Sequence, residues 1–235
     1  MNSKLIKSDG NDILYDANLF SKVNNQWFNV DFWLQQGKVE GATEGRGEAR
    51  FIEFNGVQLV LRHYCRGGMV ASVMADRYFW AGLKNTRAWR EWHLLDLMYQ
   101  QGLPVPQPVA ARVCRHGLVY RADIIIKRIV GAMPLSQRLS EEELSSDIWR
   151  EVGLCIRNFH MFGVNHADLN AHNILLDGNN NVFLIDFDKG QQCQPGSWQA
   201  KNIVRLKRSL DKLNKNHSVY FSEQNWQDCL QGYAL

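Results

Sequence analysis

The feature that most constrains this chain is a pair of short apolar runs, Ile174-Leu175-Leu176 and Val182-Phe183-Leu184-Ile185, either side of Asp177-Gly178-Asn179-Asn180-Asn181. Apolar runs flanking a polar, Gly- and Asn-rich turn read as a β-hairpin. With its pairs centred between Asn179 and Asn180, Ile174 lies opposite Ile185 and Asn173 opposite Asp186. Opposed residues hold their side chains ~5 Å apart, so an amide oxygen and a carboxylate are expected to meet at the open end. Hard oxygen donors with room left for phosphate and water suit Mg2+. Asp168 lies on the preceding loop, His166-Ala167-Asp168-Leu169-Asn170-Ala171-His172-Asn173. From there it can reach the same place and accept the proton of an attacking hydroxyl. A carboxylate as base, with a carboxylate and an amide for a metal ion, are the parts that phosphoryl transfer needs. A plainer reading makes each residue a turn cap or a strand end. It leaves their convergence unexplained.

Upstream, Phe51-Ile52-Glu53-Phe54 and Val57-Gln58-Leu59-Val60-Leu61 flank Asn55-Gly56, a strong two-residue hairpin signal. Glu44-Gly45-Arg46-Gly47-Glu48 precedes this hairpin, so Gly45 and Gly47 are candidates for a loop that covers phosphates. An ordinary turn explains the same glycines. Period two puts Val60 and Arg62 on one strand face, which makes Arg62 a candidate phosphate contact. A helix is expected from Thr86 to Gln101, with Trp89, Trp92, Leu95 and Met98 near helical spacing and Gly102-Leu103-Pro104 at its end. Glu91 on this helix is the candidate ion-pair partner of Arg62. Pro104, Pro106 and Pro108 mark an extended crossing, followed by strands at Leu118–Tyr120 and Asp123–Ile129. Ser140-Glu141-Glu142-Glu143 has the form of a capping box opening a helix that Gly163 closes. The chain is strand-rich with one long helix up to about Gly131, and mainly helical beyond it. The fold class is therefore α+β, with a strand-rich lobe over residues 1–130 and a mainly helical lobe over 131–235.

Charge and cysteine narrow the partners. Six Lys or Arg face one acid, Asp76, between Arg62 and Arg90, within a chain whose net charge is only +3. A local basic surface on a near-neutral protein suits an anionic ligand or a membrane surface, and the mild total gives no case for nucleic acid. Trp80, Trp89 and Trp92 beside those cations could rest at a headgroup interface, although core packing is the commoner fate of such residues. The basic helix from Lys201 to Lys215 carries Ile203, Leu206, Leu210 and Leu213 on one stripe, which invites the same membrane reading, but it is expected to pack against the second lobe. The five cysteines lack any CxxC spacing, so neither a disulfide framework nor a zinc site is expected, and a reducing compartment fits. The sequence has no apolar signal core and no run near the ~20 residues that span a bilayer. A cytosolic protein, or one attached peripherally to a membrane from that side, is expected.

His-x-Asp-x-x-x-x-Asn followed by Asp186-Phe187 resembles the catalytic loop and metal motif of protein kinases and aminoglycoside-type phosphotransferases. The resemblance implies a bilobal protein-kinase-like fold using ATP and Mg2+. Asp168 would be the catalytic base, with Asn173 and Asp186 holding the metal and His166 supporting the loop. The sequence departs from protein kinases at Arg62, where Lys is usual, at Asn170, and in reading Asp-Phe-Asp at 186–188. Only 49 residues follow Asp186, and no Ala-Pro-Glu motif occurs among them, so no protein substrate is expected. A longer resemblance covers Leu61–Gly68, Asp76–Trp80, Thr86–Glu91, Gly102–Pro106 and Tyr120–Asp123. These runs are similar to the 3-deoxy-D-manno-octulosonic acid (Kdo) kinase family, grouped with the lipopolysaccharide core heptose kinases. That resemblance implies phosphorylation of the 4-hydroxyl of Kdo on a lipid A precursor, at the cytoplasmic face of the inner membrane. Two alternatives stay open: a kinase for another sugar or small molecule, such as a core heptose or an aminoglycoside, and a catalytically silent kinase-like binding protein.

Overall fold

The computed structural model describes residues 2–42, 49–65, 76–217 and 219–235. Gly45, Gly47 and Arg66 lie outside the described residues. The chain forms two compact units: residues 1–100 with 106–128, and residues 101–105 with 129–235.

The first unit is built on an antiparallel sheet of β1 (Ser3–Ser8), β2 (Asn11–Asp16), β3 (Val39–Ala42), β4 (Ala49–Phe54), β5 (Val57–His63), β6 (Tyr78–Phe79), β7 (Pro108–His116) and β8 (Val119–Lys127). Its order is β1-β2-β7-β8-β5-β4-β3, with β6 added to β8. The Asn55-Gly56 hairpin forms in the expected register, Phe54 opposite Val57, with both turn residues at positive φ. That is the two-residue turn whose twist matches its strands. The expected strands at Leu118–Tyr120 and Asp123–Ile129 are one strand, β8. Burial explains why no break was needed: Tyr120, Ala122, Asp123, Ile124 and Ile125 are all buried, so β8 shows no alternation along its centre.

Ile125 packs with Leu59 and Leu61 into an aromatic core that includes Phe20, Trp27 and Trp33. Trp33 lies on α1 (Val30–Gln35), which Asn29 caps through a bond from the Asp31 amide. Arg62 and Ile124 are cross-strand partners and so share the opposite face, the one packed by α2 (Arg87–Gln100). Trp92 is fully buried on α2 together with Leu95 and Met98. The headgroup reading of Trp92 is thereby overturned: a ring without solvent contact fills a core. Trp80 and Trp89 are half-buried, and the Arg115 guanidinium stacks over Trp80, 4.7 Å from its ring centre.

The second unit contains α3 (Leu135–Glu141), α4 (Ser146–Met161), α5 (Ser197–His217) and α6 (Glu223–Ala234). Among them run β9 (Met133–Pro134), β10 (Val164–Asn165), β11 (Ile174–Leu176), β12 (Val182–Leu184) and β13 (Gln191–Gln192). The expected capping box at Ser140 is not where α4 begins. Ser140 and Glu141 close α3, and Ser145 caps α4 by accepting from the Ile148 amide. The acidic run had the spacing of a cap, but Leu135 and Leu139, both fully buried, pull it into the end of α3. On α5, Leu206 and Leu210 are fully buried, so the apolar stripe packs as expected. No helix among the described residues is long and apolar enough to cross a membrane.

Candidate active site

The hairpin forms, but one step away from the expected register. Ile174 pairs with Leu184, Leu175 with Phe183 and Leu176 with Val182. The cause lies in the turn. Asp177 accepts at Oδ1 from the amides of Asn179 and Asn181, and at Oδ2 from the Asn181 side chain. These bonds hold its carboxyl below the usual range, the Asn181 side-chain bond most of all. Asn180 adopts φ 62°, and Asp177 bonds to Asn181 through its amide. The loop is thus three residues centred on Asn179, a type I turn closed by a left-handed residue. Asn173 consequently meets Ile185, whose amide donates to the Asn173 carbonyl at 3.0 Å.

Asp186 is one residue beyond that bond. It sits at φ 65°, a conformation that Asp tolerates better than most side chains. The chain turns there, out of the strand, and Phe187 drops into the core, stacked on Phe159 at 5.7 Å. Register and turn together therefore bring Asn173 and Asp186 to the hairpin's end by a route different from direct opposition.

The loop from His166 to Asn173 is tied at several points. His166 is buried, packs on Phe187 at 4.5 Å, and bonds through Nε2 to the Ile185 carbonyl at 2.8 Å. A carbonyl only accepts, so Nε2 carries the proton. Burial pushes the His166 pKa down, which keeps the ring neutral. The side-chain amides of Asn173 and Asn170 both donate to the Asp168 carbonyl, at 3.0 and 2.9 Å. Because the Asn173 NH2 is engaged, its Oδ1 is left to act as a ligand. The Asp168 side chain is 57% exposed, and its Oδ1 lies 3.3 Å from Arg205 on α5. Asp168, His166, Asn173 and Asp186 are therefore neighbours on one loop and one hairpin.

Sequence reasoning missed the support behind this loop. Asn202 on α5 accepts at Oδ1 from the His166 amide and stands 3.3 Å from His160 Nε2, while its NH2 donates to Asn165. His160 bonds onward to Tyr233 of α6 at 2.8 Å. Nothing in the local sequence marks Asn202, which sits among charged helix residues. Leu169 and Ala171 are buried, and the Ala171 amide reaches Ser209.

In the first unit, the Arg62 guanidinium contacts both oxygens of Glu91 at 2.5 Å. Glu91 is 2% exposed and also accepts from the hydroxyl of buried Tyr64. The sequence reading had no place for Tyr64. The strand face that carries Arg62 is the one packed by α2, which accounts for its meeting with Glu91.

Comparison with known proteins identifies the family. Residues 30–233 match the model of the lipopolysaccharide kinase (Kdo/WaaP) family. The chain is 41% identical over 227 residues to a protein of Photobacterium profundum named 3-deoxy-D-manno-octulosonic acid kinase, covering 97% of this chain and 96% of that one. Proteins of the same name from Vibrio cholerae and Haemophilus influenzae are 41% and 40% identical. They cover 95% and 88% of this chain, and 92% and 90% of their own lengths. A match this long includes both units, their candidate site residues and the helices that support them, so the chain belongs to the lipopolysaccharide kinase (Kdo/WaaP) family and is a phosphotransferase.

Proposed function

We propose that this chain transfers the γ-phosphoryl group of ATP to the 4-hydroxyl of Kdo on a Kdo–lipid A precursor. The observation that carries the chemistry is the exposed Asp168 carboxylate on a loop that Asn173 fastens at the Asp168 carbonyl. The acceptor class rests on relatives of about 40% identity that bear the Kdo kinase name, and ATP use follows from kinase membership. In this reading the two units are the lobes of a protein-kinase-like fold, residues 1–130 covering the nucleotide and 131–235 carrying the catalytic loop. The protein works peripherally at the cytoplasmic face of the inner membrane.

Asp168 accepts the proton of the acceptor hydroxyl as that oxygen bonds to the γ-phosphorus. The bond to the bridging oxygen breaks and ADP leaves. Neutral His166 holds the loop against Ile185, which fixes the direction of Asp168. Asn173 Oδ1 and the Asp186 carboxylate are hard oxygen donors of the kind Mg2+ takes alongside phosphate oxygens and water. Bound there, the ion would neutralise charge on the phosphates. Arg62, aligned by Glu91, binds the α- and β-phosphates.

The direct test is ATP turnover with Kdo–lipid IVA, followed by mapping of the phosphorylated position. Absence of turnover, or phosphate on another sugar, would refute the assignment. Arg62→Ala is expected to lower kcat/KM for ATP about 10- to 100-fold, the scale of one charged hydrogen-bond contact. The KM for acceptor should change little. Arg62→Lys should recover part of the loss, because it restores charge but not the planar fork. Steady-state kinetics with ATP and acceptor varied separately check both variants. Unchanged ATP kinetics in Arg62→Ala would remove Arg62 from the site.

A further inference from the structure

Beside Asp168 the second unit contains a cavity of about 880 Å3 that no role above uses. The catalytic loop contributes Asp168 and Asn170 to its wall, and α5 contributes Lys201, Arg205, Arg208 and Lys212. Intervals of four, three and four residues place these cations on one helix face. Asn202, Leu206 and Leu210 occupy the opposite, buried face. Arg205 meets Asp168. Lys201, Arg208 and Lys212 are exposed and make no hydrogen bond or ion pair among the described residues. Neighbouring like charges destabilise a helix, and here no acid on that face offsets them: Asp211 pairs elsewhere on α5, with Lys207. Val204, 48% exposed, adds apolar wall between the cations.

We infer that this basic face of α5 is the acceptor's anion site, binding the carboxylate and phosphate groups of the glycolipid and thereby presenting its hydroxyl to Asp168. The inference rests on the acceptor class proposed above. Guanidinium and ammonium groups recognise these anions by charge-assisted hydrogen bonds, Arg with two-point geometry. The volume falls in the range of small-molecule sites, enough for a charged sugar with a neighbouring anionic group. The segment from Arg62 to Arg90, the stretch favoured by charge along the sequence, is less suited. Arg62 is bound to Glu91, and Arg87 donates to the Tyr78 hydroxyl at 2.8 Å.

The test compares the parent with Arg208→Glu/Lys212→Glu, two exposed positions whose reversal should leave the fold intact by circular dichroism. Kdo–lipid IVA is presented in non-ionic micelles, so that no other anionic lipid is present. Its binding is measured by fluorescence, and its KM is measured separately from that of ATP. The expected result is an acceptor Kd and KM raised about 30-fold or more, with the ATP KM within twofold of the parent. An acceptor Kd within threefold of the parent would overturn the inference, as would a rise confined to the ATP KM. Phosphatidylglycerol vesicles form the second arm. Binding to them as tight as to the glycolipid, and lost equally on charge reversal, would make the face a general membrane patch and also overturn it. Should the parent bind Kdo–lipid IVA without phosphorylating it, and lose binding on reversal, the site stands while the proposed reaction fails.

Discussion

Asp168→Asn should lower turnover roughly 10²–10⁴-fold, the usual contribution of a positioned general base, while leaving the fold and nucleotide binding in place. The substitution changes one exposed oxygen to NH2. The bonds that Asn170 and Asn173 make go to the Asp168 backbone carbonyl, which the variant keeps. The lost contact with Arg205 joins two half-exposed groups, and such pairs contribute little to stability. What disappears is a group able to take the acceptor's proton. Single-turnover kinetics, with calorimetric titration of Mg-ATP as the control, separates the two properties. Turnover near the parent rate would exclude Asp168 as the base, and weakened nucleotide binding would give it a different role.

The largest expected effect on stability comes from Gly153→Ala, a change that ordinarily favours a helix by about 1 kcal/mol. Here α4 and α6 touch backbone to backbone. A Cβ on Gly153 would lie 1.9 Å from the Cys229 carbonyl oxygen, and one on Gly232 would lie 1.9 Å from that of Arg150. Neither neighbour is a flexible side-chain end, so the helices must separate. Overpacking typically costs ~1–3 kcal/mol and occasionally more. An expected loss of about 3 kcal/mol corresponds to a melting point lower by roughly 6–12 °C in a protein of this size. Gly178→Ala, where nothing lies within 4 Å of the added carbon, is the control and should change little. Gly153→Ala should also reduce turnover, because α6 reaches the catalytic loop through Tyr233, His160 and Asn202. Equal melting points for the two alanine variants would show that the helices can part without loss.

The candidate site was legible in the sequence because its residues are close along the chain. The loop His166–Asn173 and the hairpin after it span a little over twenty residues, so spacing alone brings Asp168, Asn173 and Asp186 into one neighbourhood. The register was not legible. It depended on whether the turn held an even or odd number of residues, and the Asp177 carboxylate decided that by gathering amides from Asn179 and Asn181. The start of α4 was misplaced for a related reason. Ser140 and Ser145 both precede acidic residues, and only burial of Leu135 and Leu139 shows which serine begins a helix.

Charge shows the same division. Period two assigns Arg62 to one strand face, a local property of a strand, and the structure pairs it there with Glu91 of α2. The sequence also displayed every lysine and arginine of α5, but as a helix whose apolar stripe must pack. That stripe does pack, and in doing so it fixes where the opposite stripe points. Which surface the cations then border is decided by contacts between residues far apart in sequence, Arg205 with Asp168 and Asn202 with His166. Local pattern determined most of the elements and brought the candidate site residues of the second unit close together along the chain. The Asp177 side chain set the hairpin's register within the turn itself, whereas tertiary packing alone tied the loop His166–Asn173 to α5 and lined the cavity beside Asp168, because both depend on which distant surfaces become buried against one another.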